Sequence, residues 1–420
     1  MSPEMLMSQL EGPTRRQKFF RAIPRWAGRA AAIPIGLAVW YFAFDYLPPG
    51  LFTDDLAAKY FGVTSAAIAA ASLIWAVGSE AGRVLERGHT TLPEATSVVA
   101  PWVPPLIDTD ATALRLKESF EAAGEGAGWC HYLGSYGQPQ STSALSTAFA
   151  LRTLMLVGNA QVNVPLHEVC EWLRGKANAD GGWSAQTQGL ISRPEVTAIV
   201  ASTLTRIEGK DDAVERASRS IEDVIRSGSD LAIFTNTYVL STIVEEAPYL
   251  SLSTETVTNL LTRLLNGAML IGEDEYCWAE SLERQSRESP STALTARAVL
   301  AIQAVDQMAT VPSSAATPIL RGALKWLDSA SLANEATSVV RLPAPGRQEL
   351  NAPRHFTAAL VALGLWQAGL GHTEPARRAL SISWERHDGG LWYWGSGDTP
   401  TYVTYYGLHA ALIGRLQWMP

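Results

Sequence analysis

Four arginines, Arg193, Arg284, Arg287 and Arg354, two histidines, His131 and His355, and the tyrosines Tyr132, Tyr136 and Tyr402 are the side chains whose types suit one common chemistry. A guanidinium presents its donors as a fork that matches phosphate or carboxylate oxygens, and a phenol ring can stack on a base or line an apolar tail. Together they would hold an anion, provided the fold brings them to one place. Glu195, Glu283 and Glu288 lie among them and oppose that reading by offering partners of their own. A second set, Glu195, Glu280 and Asp398 with Trp392, Tyr393 and Trp394, has the composition of a glycan-cleaving site. The same tryptophans and acids also suit turn packing and ion pairing. Asp108 and Asp110 stand at the head of a helical stretch, where carboxylates cap free N–H groups and favour the dipole. The sequence contains no GxSxG, P-loop, HExxH or dinucleotide fingerprint.

The elements that must position these residues are read from a repeat. Trp129 precedes Ser143-Ala144, Trp183 precedes Thr197-Ala198 and Trp278 precedes Thr292-Ala293, each by the same interval, and DGGLWYWGSGDTPTYVTYYG is a looser copy. Further hairpins at Asn236-Thr237-Tyr238 and at Arg354-His355-Phe356-Thr357-Ala358 lack the Trp, which makes six in all. Segments such as VTAIVASTL and STALTARAVLAIQ are apolar or small on most faces and read as enclosed helices, whereas DDAVERASRSIEDVIRS is amphipathic and reads as an outer one. Alternating inner and outer helices close into a barrel, because each hairpin buries its apolar face only against its neighbours. Every inner helix then begins at one end. Its unpaired N–H groups ring one mouth of a cavity and favour an anion there.

The Gly-Trp turns and Thr-Ala helix starts, above all NADGGWSAQ and HDGGLWYWG, resemble the prenyltransferase and squalene-oxidase repeat family within the terpenoid-cyclase and protein-prenyltransferase α/α toroids. The resemblance runs over 107–420 and implies an all-α (α/α)6 toroid. The family's class II cyclases use the middle Asp of Asp-x-Asp-Asp as a proton donor. Here the run is Asp108-Thr109-Asp110-Ala111-Thr112-Ala113, so the third carboxylate is missing and the segment opens an outer helix. Its zinc enzymes need an Asp, a Cys and a His; Asp274, Cys277 and His355 are the nearest candidates, but Asp274 and Cys277 are spaced differently from the family pattern, and no metal or cofactor is expected.

The chain of 420 residues suits one large domain and a smaller segment. A composition 47% hydrophobic with 18% charged residues is apolar for a soluble protein, so the apolar excess should be local. It falls in 30–44 and 61–79, which are free of charge and near membrane-spanning length, with Trp40, Tyr41 and Tyr46 as interfacial aromatics. The expected organisation is a basic segment 1–29, a two-helix transmembrane hairpin 30–82, a linker 83–106 and the toroid 107–420. Basic residues outside the hairpin and Asp54 and Asp55 between its helices put both termini on the cytoplasmic face of an inner membrane. The three cysteines, Cys130, Cys170 and Cys277, form no CxxC and read as buried thiols of a reducing compartment. The function expected is therefore a membrane-anchored, oligomeric toroid that responds to an anionic ligand, a nucleotide or prenyl diphosphate. The alternative is a membrane-bound terpenoid cyclase or prenyltransferase-like enzyme acting on an isoprenoid lipid.

Overall fold

The computed structural model describes residues 105–416, apart from 124–126, 134–140, 159–162, 186–190, 228–234, 283–288, 309–315, 333–334, 339 and 345–346. The chain divides into two compact units, 1–100 and 101–420, and the described residues belong to the second. They form twelve α-helices: α1 Thr109–Ala122, α2 Ala144–Val157, α3 Leu166–Gly175, α4 Pro194–Glu208, α5 Asp212–Ser227, α6 Thr237–Glu246, α7 Thr254–Asn266, α8 Thr292–Asp306, α9 Ala316–Ser329, α10 Thr357–Gln367, α11 Glu374–Trp384 and α12 Thr401–Leu416.

The even-numbered helices make a closed ring. Each of α2, α4, α6, α8, α10 and α12 packs on the next, and α12 returns to α2. Their composition explains why: every residue of α10 from Thr357 to Trp366 is buried, and α4 is buried without a break from Pro194 to Leu204. A helix apolar all round must be enclosed on all sides. The odd-numbered helices flank the ring, α1 against α2, α5 against α4, α7 against α6, α9 against α8, and α11 against α10 and α12. In α5 the buried residues Ala213, Val214, Ala217, Ser218 and Ile221 recur at three- and four-residue steps, while Glu215, Arg216, Arg219 and Asp223 face solvent.

The tryptophan turns fasten four of the hairpins by a recurring backbone bond, and three of them by a second bond from the indole. The backbone N–H of Trp129, Trp183, Trp278 and Trp392 donates to the hydroxyl of Thr147, Thr197, Thr295 and Thr404, at 2.9, 2.9, 3.0 and 3.3 Å. That threonine is the fourth residue of α2, α4, α8 and α12 alike. The indole N–H of the first three donates to a backbone carbonyl of the preceding outer helix, at Leu116, Leu173 and Leu264. Trp129, Trp183 and Trp278 therefore each tie an outer helix to the inner helix that follows it. Sequence separations of the bonded pairs are 18, 14, 17 and 12. The equal 14-residue interval read from the sequence picks the bonded threonine only at Trp183; Ser143 and Thr292 sit one turn too early, because loop length varies while the anchor does not.

One seam closes the ring. Leu133 N–H donates to Thr399 O, Thr401 N–H to His131 O, and the Thr112 hydroxyl to Gly390 O. The first two bonds join the loop before α2 to the loop before α12, and the third joins α1 to that same loop. The loop before α6 is joined in the same way to the loop before α8, through Thr237 and Glu280 and through Leu282 and Thr235. Four inner helices thus begin among paired loops. α6 begins at Thr237, where Asn236 Oδ1 accepts from Tyr238 and Val239 N–H, and α10 begins at Thr357, because strand Arg354–Phe356 pairs antiparallel with Glu335–Thr337.

The expected transmembrane organisation is corrected. Among the described residues no helix is long and apolar enough to cross a membrane. The longest, α5 and α12, have 16 residues, about 24 Å at 1.5 Å per residue against roughly 30 Å of hydrocarbon. The fold class with a two-helix hairpin, the membrane and transmembrane description and the multi-pass inner-membrane location are withdrawn on that finding. The segment 30–82 on which they rested lies outside the described residues.

Candidate functional site

The interior of the ring is polar, which the apolar pattern of its helices conceals. Arg152 is the only charged residue of α2, and Arg297 sits in the middle of α8 with only Asp306 for company. Both are buried. From these two residues a column of side chains runs along the ring axis.

At its upper level, near the helix starts, Arg297 Nε donates to His355 Nδ1 at 3.2 Å and Nη1 to the Tyr406 hydroxyl at 3.4 Å. The guanidinium also lies over the rings of Tyr238 and Tyr406, 5.0 and 5.3 Å from their centroids. Burial works against its charge, but Tyr406, Tyr238 and Glu245 more than offset this and raise its pKa. Because an arginine can only donate, His355 must accept at Nδ1 and carry its proton on Nε2, which donates to Ser338 Oγ at 2.8 Å. Burial and the adjacent Arg297 hold the imidazole neutral, far below its ordinary pKa. Among the described residues no carboxylate lies within ion-pair distance of Arg297, so its partners are all neutral.

The lower level is the opposite case. Arg152 binds Glu246 at 2.6 Å and also donates to Thr203, Ser202 and the Ile199 carbonyl. Ser202 bonds the other Glu246 oxygen at 2.8 Å, and Arg206 approaches it at 3.4 Å while stacking on Tyr249 at 3.7 Å. Burial disfavours the Glu246 carboxylate, but Arg152 and Arg206 outweigh it and lower its pKa. Glu245, its neighbour, is half-buried, surrounded by the ring yet still in touch with solvent, and makes no hydrogen bond or ion pair among the described residues. Burial and the Glu246 charge push its carboxyl up to about 7. Glu245 acts electrostatically on Tyr405 and Tyr406 of α12 and responds to Arg152 of α2, Arg206 of α4 and Arg297 of α8. Glu245 lies two turns beyond Tyr238 on the same face of α6, the face that meets Arg297 and His355. Between the levels stand Phe149, Tyr405 and Tyr406, with centroids 5.1 to 5.8 Å apart.

Of the residues expected at the mouth, His131 is exposed and rests on Tyr132 and Tyr402, at 4.5 and 5.8 Å. The Arg354 guanidinium stacks 4.6 Å from the Trp394 centroid. Arg193 is buried and bonded to Glu195, so its charge is met within the protein, and His355 belongs to the Arg297 cluster. Tyr136, Arg284 and Arg287 lie outside the described residues. Asp108 caps α1 through a 2.9 Å bond from Ala111 N–H, and Asp110 is exposed in the same turn. Asp274 stands at a positive φ in a turn, Cys277 is buried beside Met269, and among the described residues no His, Cys, Asp and Glu gather to hold a metal ion. Trp392 and Trp394 are fully buried and offer no platform. The sequence reading missed Arg152, Arg297, Glu245, Glu246 and Tyr406. The available signal was a lone charge inside an otherwise uncharged enclosed helix.

No family model and no curated protein matches the chain. Among solved structures it is similar to a protein from Actinoplanes, with 16% identity over 73% of this chain and 99% of that one and a TM-score of 0.43. A polysaccharide lyase is similar at 13% identity over 74% and 91%, with a TM-score of 0.36. Likeness at that level carries no argument about activity.

Proposed function

We propose that the ring binds an anionic small molecule at the end where its inner helices begin, with Arg297 as the charged floor of the site. The observation that carries this is a buried guanidinium with neutral partners only. An unpaired buried charge is costly, and retaining one in the middle of an apolar helix is accounted for by an anion that completes it. The helix starts above it add partial positive charge, and Arg354 adds a further cation. His355, fixed as a neutral acceptor, and Tyr406 orient the guanidinium so that Nη2 is left for the ligand. The isoprenoid-enzyme alternative gains no comparable support, since Asp108 serves as a cap and Asp110 lies on an outer helix.

The test is calorimetric titration of the full chain with inorganic pyrophosphate, comparing wild type with Arg297→Met. A hydrogen-bonded charge contributes about 1.5–3 kcal/mol, so binding should weaken roughly 10- to 150-fold. Equal affinity in both proteins, with circular dichroism unchanged, would remove Arg297 from the site and with it this reading.

A further inference from the structure

We propose that the anion is a nucleotide, its phosphate on Arg297 and the hydrogen-bonding edge of its base on Glu245. The inference rests on the anion reading and adds the part of the ligand that lies deeper in the ring.

Glu245 is the observation that carries it. Glu245 shares the α6 face of Tyr238, keeps contact with solvent and has no partner among the described residues, whereas Glu246 beside it is engaged by Arg152, Arg206 and Ser202. The structural work of that level is complete without it. A partnerless acceptor at the bottom of a site calls for a ligand that brings donors. Tyr238, on which Arg297 lies, precedes Glu245 by seven residues on α6, which is about 10 Å along the axis. That span is comparable to the reach of a nucleoside phosphate from phosphate to far base edge.

The wall between the two points is aromatic, and the aromatic groups are joined to both levels. Tyr406 bonds Arg297 above, and Tyr405 lies 5.9 Å from the Arg152 guanidinium below. Phenol rings next to a polar column suit a flat base, which can stack on them while its N–H groups remain free to bond. Guanine fits the acceptor best. Its ring N–H and exocyclic amine are adjacent donors, and the two oxygens of a carboxylate receive them as a pair. A prenyl tail in the same place would strip water from Glu245 and return no hydrogen bond, which disfavours that ligand.

The experiment compares GDP, inorganic pyrophosphate and geranyl diphosphate by calorimetry on the full chain, using wild type and Glu245→Gln, with thermal melting as the check on folding. Support would be GDP binding at least tenfold more tightly than pyrophosphate, with Glu245→Gln weakening GDP about 10- to 100-fold and leaving pyrophosphate unchanged. GDP and pyrophosphate binding alike, with no effect of Glu245→Gln, would overturn the nucleotide and leave the anion site standing. Geranyl diphosphate binding more tightly than GDP would also overturn it. If neither pyrophosphate nor GDP binds wild type, both the inference and the anion reading beneath it fail. The ligand series uses unmodified protein, so the result does not hinge on a variant folding.

Discussion

Replacing Glu245 by Gln should make the protein more stable at pH 8 and leave it nearly unchanged at pH 5. The carboxyl is raised from its ordinary 4.5 to about 7 by burial and by Glu246, so the folded state holds a proton that the unfolded chain has already released. For an acid shifted upward, stability falls as pH rises from about 4.5 to 7 and is then flat, because the folded state binds more protons throughout that window. At 1.36 kcal/mol per pKa unit the full loss is roughly 3 kcal/mol. Residual solvent contact screens part of it, so about 1–3 kcal/mol is expected. The groups around it complicate the wild-type curve. His409 of α12 is lowered to about 4 by burial, then by Arg206 and Arg152, and a depressed histidine loses stability as pH falls from its ordinary value toward 4. That slope opposes the Glu245 slope, so neither is legible in wild type alone. The difference between variant and wild type isolates Glu245, since His409, Arg152, Arg206, Arg297, Tyr405 and Tyr406 are common to both. Urea unfolding at pH 5, 6, 7 and 8 would measure it. A difference independent of pH, or a variant less stable at pH 8, would refute the argument by showing that the nearby arginines hold Glu245 ionised.

Arg152→Met and Glu246→Gln should each destabilise the fold by about 3–5 kcal/mol, because each leaves its partner buried and unpaired, whereas the double variant should lose less than the sum. A denaturation double-mutant cycle checks this, and additive losses would count against the pair acting as a unit. Thr295→Val should cost about 1–3 kcal/mol by leaving Trp278 N–H without its acceptor, while Thr292→Val, whose exposed hydroxyl bonds Ser331 O at 3.2 Å, should fall within about 0.5 kcal/mol of wild type. Melting the two variants side by side decides between them.

The helices were legible because their patterns are strong. The segment DDAVERASRSIEDVIRS, amphipathic and read as an outer helix, contains α5, and the looser copy DGGLWYWGSGDTPTYVTYYG leads into α12 at Thr401. Boundaries failed where a long-range bond decides them, as at α10, whose predicted first turn is instead a strand paired with residues some twenty positions earlier. The site was less legible for a related reason. Rim charges near Trp turns drew attention, yet Arg193 proved to be met by Glu195, and the residues that converge on the axis come from helices far apart in sequence. Arg152, Glu246 and Ser202 belong to three different hairpins, and only closure of the ring makes them neighbours.

The seam between the first and last hairpins bears on how the protein is made. About 250 residues separate α2 from α12, and until the last helix emerges from the ribosome the exposed side of α2 has no permanent cover. At 5–20 residues per second that interval is roughly 10–50 s, long compared with the time a hairpin needs to collapse. Phe149, which rests on Tyr402, Tyr405 and Tyr406 of α12, would meanwhile lack that cover, so synthesis halted before Thr401 should yield an open arc prone to aggregation, and α12 acts as the latch on the ring.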